Sequence, residues 1–372
     1  MSKTINLAAV DIGNASIKAI FHDNTKFCIP NVIAKEERIR DYIDLESDPL
    51  EGIHVQITSS ALKGGKGIYV AGELAMKYPE NDELNSNSQK HDSDQSLVML
   101  LLTVALHAAK DSPSDAISAE YALGTGLPIE ETKKGARDGF RQKLIDTVHQ
   151  VEFLNTPKYF GKRVNLKFTD VIVSAEGLAA YMELAVQDNG KVKDDDITNR
   201  TVQIWDIGGL TTDNAIFEKT KIDNKHSRGY RLGISHFLDK IIDEVEVTYG
   251  YRIRSRKELV DIIVNGNPDE KDHIFVYGNR TCIESITTKN MRSLANELYK
   301  NIILTWSAVP SSYVAFLIGG GSVVLKDYIE QINKAEKKLP LRYLSKEQSI
   351  WIIAESYMKI LKLKMQKTVK EA

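Results

Sequence analysis

The chain has 372 residues, enough for two domains of ordinary size, which excludes a lone binding module and a disulfide-stapled miniprotein. Its 42% hydrophobic and 27% charged residues are typical of a globular protein with a large core rather than of a disordered or fibrous one. The 49 basic and 51 acidic residues give a formal net charge of -2, so the overall charge favours neither nucleic acid nor anionic lipid as a partner.

The first predicted element is a hairpin with a polar turn. A buried strand runs over 5–10, the chain turns at Gly13 and Asn14, and apolar residues return over 17–21. We expect no signal peptide ahead of this hairpin, because the N-terminus has no long apolar run. The most apolar window, 97–109, is too short to span a bilayer and predicts a buried helix instead.

Strands and helices alternate along the rest of the chain, which favours an α/β fold. Ser174 is predicted to cap a helix that begins near Glu176, and a short buried strand leads into three glycines at 319–321. The further predicted strands lie at 121–127, 171–173 and 315–318, and the further helices at 234–247 and 294–306.

A second hairpin repeats the first. DIGGLTTDNAIF at 206–217 shares its Asp-Ile-Gly opening and its Ala-Ile-Phe close with DIGNASIKAIF at 11–21, which predicts two halves built on one plan. The charged, weakly apolar stretch 191–200 is predicted to join the halves. The predicted domains are 1–190, with an inserted subdomain at about 30–100, then 191–345, then a C-terminal helix over 346–372 that packs back on the first domain.

Both hairpins suit the binding of nucleotide phosphates. Each places a carboxylate at a strand end, glycine lets the backbone approach closely, and turn amides and hydroxyls donate to anionic oxygens. Asp11 and Asp206 would hold a hydrated magnesium ion, and Lys18 would meet the phosphates as a point charge. Either passage alone could be only a tight turn, but two occurrences with matched flanks favour phosphate binding.

The two hairpins, followed by the glycines at 319–321, resemble the actin and sugar-kinase superfamily of ATPases. Further segments narrow the resemblance to the bacterial and archaeal actin-like proteins typified by the plasmid-segregation protein ParM. These segments are FCIPNVIA (27–34), GIYVAGELAMKY (67–78), YALGTGLPIE (121–130) and VSAEGLAAY (173–181). The resemblance implies an actin-like α/β fold, in which two related ribonuclease-H-like domains flank a nucleotide cleft.

The resemblance also implies a role for each candidate site residue. Asp11 and Asp206 would serve the metal, and Glu176 matches the glutamate that orients the attacking water. An acid in the first turn of a helix is also favoured by the helix dipole alone, so Glu176 has a simpler explanation too. The residues implied to hold the phosphates are Gly13, Asn14, Ser16, Lys18, Gly208, Gly209, Thr211 and Thr212, and those implied to flank the adenosine are Gly319, Gly320 and Gly321.

The implied function is a magnesium-dependent ATPase that polymerises with ATP, or with GTP, into dynamic filaments that segregate plasmid DNA. Near-neutral charge argues against direct contact with DNA, so a ParR-like adaptor on a centromere-like site would connect the two. Cys28 and Cys282 lie far apart without metal-ligand spacing, which favours a reducing compartment, here the bacterial cytoplasm.

Two alternatives stay open. One is a small-molecule kinase of the same superfamily, for which no acceptor pocket is identifiable in the sequence. The other is a membrane-associated cell-shape or division actin, since the last helix carries several lysines near its end and could lie on a membrane. Lysines near a helix C-terminus are stabilising in any case, so we expect that helix to pack on the protein and expect no membrane partner.

Overall fold

The computed structural model describes residues 6–39, 44–78, 80–83, 89–145 and 147–371, without the side chains of residues 83 and 368–371. The chain divides into two compact units: unit 1 is Met1–Lys191 with Ile352–Ala372, and unit 2 is Val192–Trp351. Among the described helices, none is long and apolar enough to cross a bilayer.

Unit 1 contains one large sheet. Its described strands are β1 (Asn6–Ile12), β2 (Ser16–Phe21), β3 (Lys26–Pro30), β4 (Val32–Ala34), β5 (Ile53–Thr58), β6 (Lys66–Ala71), β7 (Asp82–Glu83), β8 (Ala116–Leu127), β9 (Val148–Phe153) and β10 (Arg163–Ala175). They are ordered β3-β2-β1-β8-β10-β9-β5-β6-β4-β7. β1, β8 and β10 run parallel, and the other described pairings are antiparallel. The carboxyl ends of these three strands therefore lie at the same end of the sheet.

The helices described in the first part of unit 1 are α1 (Asp94–Lys110), α2 (Ile129–Lys133), α3 (Ala136–Ile145) and α4 (Glu176–Ala185). α1 confirms the buried helix predicted at 97–109, since every residue of 97–106 is at most 3% exposed. It packs in one core with strand residues such as Val10 and Phe168. Each fully buried leucine contributes about 1.5–3 kcal/mol, so α1 is a main source of stability in unit 1.

Unit 2 repeats the central arrangement of strands on a smaller scale. Its described strands are β11 (Thr201–Ile207), β12 (Thr212–Glu218), β13 (Lys221–Ile222), β14 (Arg228–Tyr230), β15 (His273–Val276), β16 (Asn279–Cys282), β17 (Ser312–Ile318) and β18 (Leu341–Tyr343). The main order is β13-β12-β11-β17-β18, and β14 pairs with β12. β17 runs parallel to β11, just as β8 runs parallel to β1. The repeat in the sequence thus corresponds to a hairpin with a parallel neighbour in each unit.

The remaining helices are α5 (Asp195–Asn199), α6 (Ser235–Tyr249), α7 (Arg256–Ile263), α8 (Glu284–Ala308), α9 (Gly320–Ala335) and α10 (Lys346–Glu371). Residues of α6, α8 and α9 pack with Trp205 and Leu317 of the sheet in the core of unit 2. The helices predicted at 234–247 and 294–306 correspond to α6 and α8, and α8 begins about ten residues earlier than its pattern indicated.

The part of α10 that belongs to unit 1 packs against glycines of β8. A Cβ atom at Gly126 would lie 1.9 Å from the Tyr357 hydroxyl oxygen, and one at Gly124 would lie 3.1 Å from Leu361 Cδ1. The buried Lys359 ammonium donates to the carbonyl oxygen of Val186, at 2.7 Å, just beyond the end of α4. The glycines of YALGTGLPIE therefore make room for α10.

A neutral histidine lies in the core of unit 1. His149 is fully buried; its Nε2 lies 3.0 Å from the Leu144 carbonyl oxygen and its Nδ1 lies 2.8 Å from the Ser59 hydroxyl. Because the carbonyl can only accept, Nε2 carries the proton and Nδ1 accepts from Ser59. Burial lowers the pKa of His149 and outweighs the Leu144 carbonyl, which raises it. The imidazole is therefore neutral in the folded protein at pH 7.

This histidine predicts a loss of stability in mild acid. The unfolded chain protonates His149 near a pKa of about 6.5, whereas the folded chain does so only at lower pH, so the folded state binds fewer protons in that window. The free energy of unfolding should therefore fall as pH drops from 7 to 5, by at most about 1.4 kcal/mol per pH unit from this one group. The free energy of unfolding, measured with urea at pH 7 and at pH 5, should depend less on pH in His149→Gln than in wild type. An equal pH dependence in the two proteins would contradict the prediction.

Candidate functional site

The first hairpin brings a carboxylate and an ammonium together at the carboxyl end of β1. Asp11 and Lys18 face each other as partners in the β1–β2 ladder. The Lys18 Nζ lies 3.6 Å from Asp11 Oδ2 and donates to the Ser16 carbonyl oxygen at 3.4 Å. Asp11 is 8% exposed, while the turn residues Asn14 and Ser16 are half-buried. The turn is thus accessible from outside, with a fixed pair of opposite charges at its base.

The turn itself requires glycine and is held by an asparagine. A Cβ atom at Gly13 would lie 2.5 Å from the Ser16 carbonyl oxygen, closer than any side chain allows. The Asn31 Nδ2 donates to the Gly13 carbonyl oxygen at 2.8 Å, and the Gln95 amide donates to the Asn31 carbonyl oxygen at 2.9 Å. Sequence reasoning did not assign Asn31 a role, although the residue lies inside the segment FCIPNVIA.

The second hairpin is braced by the chain that leads into α6. Within the turn, the Gly208 amide donates to the Thr211 carbonyl oxygen at 2.9 Å. The Ser235 amide donates to the Gly209 carbonyl oxygen at 2.7 Å. A Cβ atom at Gly233 would lie 2.2 Å from the Gly209 carbonyl oxygen, so this approach requires glycine. Sequence reasoning also missed Gly233, which carries no local signal apart from its residue type.

The two threonines of this turn differ in exposure. Thr211 is half-buried, whereas Thr212 is fully buried and donates its hydroxyl to the Leu232 carbonyl oxygen at 2.5 Å. Of the two, Thr211 is the one with a surface that a ligand can reach. Thr212 contributes by fixing the turn.

The glycines at 319–321 lie against the second hairpin. Gly319 has a φ of +82°, and a Cβ atom there would lie 2.3 Å from Asp206 Oδ1 and 2.7 Å from the Ile207 carbonyl oxygen. A Cβ atom at Gly321 would lie 2.5 Å from Ile207 Cγ2, whereas Gly320 is exposed with nothing within 4 Å. The structure therefore brings these glycines together with Asp206 at the carboxyl ends of the parallel strands β11 and β17.

Glu176 is the first residue of α4 and follows directly on β10. The preceding Ala175 occupies the capping position, and Ser174 lies within β10 without capping the helix, so the predicted Ser174 cap is wrong. The strand simply runs two residues further than its apolar pattern indicated. Glu176 is 8% exposed, and its Oε1 lies 2.5 Å from the Nζ of the buried Lys90.

The carboxylate of Glu176 has opposing electrostatic neighbours. Burial and the charge of Asp11 raise the pKa of Glu176, and the Lys90 ammonium opposes them without cancelling the rise. Burial alone would lower the pKa of Lys90, but Glu176 and Asp11 outweigh it and raise that pKa, so Lys90 is an ammonium. Two carboxylates and one buried ammonium thus act on one another at this end of the sheet.

The carboxylates at the two hairpins suit magnesium better than a metal that is coordinated entirely by protein side chains. Within the described ranges, no group of three or more His, Cys, Asp or Glu side chains is arranged to hold a metal ion. Magnesium keeps several waters and takes one or two carboxylates together with phosphate oxygens. Asp11 and Asp206 each supply one carboxylate beside a glycine turn, and at Gly319 a side chain would fill the space against Asp206 Oδ1.

The fold and the paired hairpins define an actin-like protein. The family model for the N-terminal domain of actin-like proteins matches residues 9–178, and the model for the Alp7A C-terminal domain matches residues 201–340. Between them the two models match most of the chain, which therefore belongs to the actin-like proteins. The predicted family and the predicted actin-like α/β fold are confirmed.

Solved structures of ParM share this fold. ParM of Bacillus thuringiensis with ATP is 22% identical, with a TM-score of 0.72 over 98% of this chain and 100% of its own. The same protein with ADP is 20% identical, with a TM-score of 0.70 over the same shares. A 15-stranded ParM filament from Clostridium botulinum is 20% identical, with a TM-score of 0.71 over 96% of this chain and 99% of its own. A comparison with curated proteins found no match.

Proposed function

We propose that this chain is a magnesium-dependent ATPase that assembles with itself into dynamic filaments. The observation that carries the proposal is the pair of Asp-Ile-Gly hairpins, each with a carboxylate at a strand end beside an accessible glycine turn, in a member of this family. The solved ParM structures support it, since they include complexes with ATP, AMPPNP and ADP and a filament.

In the proposed site, Asp11 and Asp206 would hold the magnesium ion, which when bound would offset charge on the phosphoryl oxygens. Lys18 adds a positive charge at the base of the first turn, where it already lies beside Asp11. Glu176 orients the attacking water and accepts its proton. The phosphates are held by Gly13, Asn14, Ser16, Gly208, Gly209 and Thr211, while the buried Thr212 fixes the second turn through Leu232, and the adenosine is flanked by Gly319, Gly320 and Gly321.

We further propose that the ATP state favours the polymer and that hydrolysis permits disassembly. The proposed cargo is plasmid DNA in the bacterial cytoplasm, reached through a ParR-like adaptor on a centromere-like site. A formal net charge of -2 supports an adaptor, because the chain has no overall basic charge with which to hold DNA itself.

Light scattering and pelleting of the purified chain test this proposal. We expect polymer with ATP and magnesium, no polymer with EDTA, and slow loss of polymer as ATP is consumed; a parallel series with GTP settles the nucleotide. Absence of polymer across salt and magnesium concentrations would contradict the proposal. ATP turnover that rises severalfold with an added metabolite, without assembly, would favour the small-molecule kinase.

Replacement of Asp11 should weaken magnesium-dependent ATP binding. Asp11→Asn removes the charge that would hold the ion, and a contact to a charged group is worth about 1.5–3 kcal/mol, so affinity should fall roughly tenfold or more. Isothermal titration with ATP, with and without magnesium, measures this. The gain in ATP affinity that magnesium provides should shrink in the variant, and the affinity without magnesium should change little. Asp138→Asn, at an exposed aspartate of α3, is the control. Equal magnesium dependence in wild type and Asp11→Asn would contradict the role of Asp11.

A further inference from the structure

Lys90 is a buried lysine that sequence reasoning did not single out. It lies in a single helical turn, Lys90–Asp92, just before α1, and only 6% of it is exposed. Lysine is almost never buried to this extent unless it is paired. Its partner is Glu176, whose Oε1 lies 2.5 Å from the Lys90 Nζ. The one carboxylate proposed to handle the attacking water is thus contacted directly by a buried ammonium.

The position of Lys90 is fixed from a second direction by Glu131 of α2. The backbone amides of Lys90 and His91 donate to the two Glu131 carboxylate oxygens at 3.0 and 3.1 Å. The His91 ring adds a contact at 2.7 Å to one of these oxygens, and Lys143 of α3 donates to the His91 carbonyl oxygen at 3.0 Å. The backbone that carries Lys90 is therefore anchored to α2 and α3 and cannot shift without breaking several charge-assisted contacts.

This anchoring matters because Glu176 has little else to orient it. The residue stands at the very start of α4, where a long side chain can adopt several rotamers, and the described contacts give its carboxylate one direct partner in Lys90. A general base must present its oxygen to the water within hydrogen-bond distance, and a small misplacement is costly to the rate. The charge on Lys90 also opposes protonation of Glu176, which burial and Asp11 promote.

We propose that Lys90 is a positioning residue for ATP hydrolysis: it holds the Glu176 carboxylate in one orientation, and Glu131 holds Lys90. This inference rests on the proposed function, because it assigns Lys90 a role only through Glu176. A buried ion pair can also be purely structural, since breaking one is strongly destabilising whether or not it serves a reaction. The experiment has to separate these two roles.

A double-mutant cycle in ATP hydrolysis provides that separation. Lys90→Met is compared with Glu176→Gln and with the double variant, measuring kcat and KM for each. Lys90→Met alone should lower kcat about 10–100-fold with KM within about threefold. In the Glu176→Gln background the same substitution should lower kcat less than twofold, because the group through which it acts is already absent. Equal losses in both backgrounds, or a kcat of Lys90→Met within twofold of wild type, would overturn the proposal.

Unfolding without nucleotide gives a readout that does not depend on turnover. Lys90→Met leaves the Glu176 carboxylate buried without its partner, so the urea midpoint should fall, and adding Glu176→Gln should recover at least half of the shift. Lys162→Met is the matched control: this partly buried lysine donates to the Ala109 and Ser112 carbonyl oxygens and has no contact with Glu176. Lys162→Met should also lower the urea midpoint, but adding Glu176→Gln should not raise it again. If Glu176→Gln raised the midpoint equally in the Lys90→Met and Lys162→Met backgrounds, the specific pairing of Lys90 with Glu176 would be overturned.

Glu131→Gln keeps the inference testable even if Lys90→Met does not fold. It weakens the anchor of Lys90 while leaving the Lys90–Glu176 pair in place, so kcat should fall about three- to tenfold in the wild-type background and less than twofold with Glu176→Gln. An unchanged kcat in Glu131→Gln would overturn the anchoring step. If the wild-type chain itself hydrolyses no ATP, the proposed function and this inference fail together. If Glu176→Gln is slow but Lys90→Met and Glu131→Gln hydrolyse ATP as fast as wild type, the inference fails and the proposed function stands.

Discussion

Glu176→Gln is expected to slow release of phosphate from ATP by about 100-fold or more while leaving nucleotide affinity within about threefold. The amide has nearly the size of the carboxylate but cannot accept a proton from water, so the change removes a step of the reaction rather than a binding contact. Filaments of this variant should form with ATP and persist for longer, because disassembly follows hydrolysis in the proposed cycle. Phosphate release in a single turnover and the decay of light scattering measure the two effects.

Glu284→Gln is a matched control for this variant. Glu284 is the first residue of α8, as Glu176 is of α4, but it is exposed and lies in unit 2. Both carboxylates lie at the positive end of a helix dipole, which is worth about 0.3–1 kcal/mol at an exposed position such as Glu284 and up to about 2 kcal/mol at a more buried one such as Glu176. Glu284→Gln should therefore change stability slightly and phosphate release hardly at all. Wild-type phosphate release in Glu176→Gln would mean that the helix dipole and the ion pair with Lys90 account for that glutamate without a catalytic role.

The hairpins could be predicted from the sequence because their signals are local. Each pairs two neighbouring strands across a short turn, so Asp11 and Lys18 become ladder partners whatever the rest of the chain does. The repeat of Asp-Ile-Gly at 206–208 then added a signal that one turn could not supply. The buried helix at 97–109 was likewise readable, because an apolar run of that length has to be enclosed.

Contacts between distant segments could not be predicted in this way. Lys90 and Glu176 meet although 86 positions separate them, and Gln95 meets Asn31 across 64. The local sequence around Lys90 and Asn31 does not predict that they are buried, because lysine and asparagine are usually exposed. Such contacts arise from the packing of α1 and the turn before it on other parts of unit 1, and periodicity gives no information on which distant segments become neighbours.

For the glycines at 319–321, the sequence predicted a close backbone approach correctly but did not show which part of the protein they approach. The sequence indicated a close approach of the backbone and the resemblance assigned it to adenosine. In the structure, Gly319 and Gly321 approach the end of β11, because β17 runs parallel to that strand and the chain has to leave it beside Ile207. Their glycine identity is therefore required within unit 2 by packing alone, while the proposed contact with adenosine concerns their exposed side and Gly320.

Gly319→Ala is accordingly expected to destabilise unit 2 by about 2–6 kcal/mol. The backbone at Gly319, with φ +82° and ψ 165°, lies in a region that is essentially restricted to glycine and costs other residues about 1–3 kcal/mol. The added methyl group would also meet Asp206 Oδ1 at 2.3 Å and the Ile207 carbonyl oxygen at 2.7 Å, a clash that overpacking data put at about 1–3 kcal/mol. Urea unfolding of the full chain, followed by the fluorescence of its three tryptophans, which include the buried Trp205, measures the loss.

Substitutions at two other glycines separate backbone strain from the clash. Gly278 also has a positive φ, +80°, with open space around it, so Gly278→Ala should cost only the strain of a positive φ, about 1–2 kcal/mol. Gly320 begins α9 with nothing within 4 Å, so Gly320→Ala should be neutral or slightly stabilising, because alanine is the better helix former. A Gly319→Ala variant no less stable than Gly278→Ala would mean that the Asp206 carboxylate and the Ile207 carbonyl both move aside at no cost.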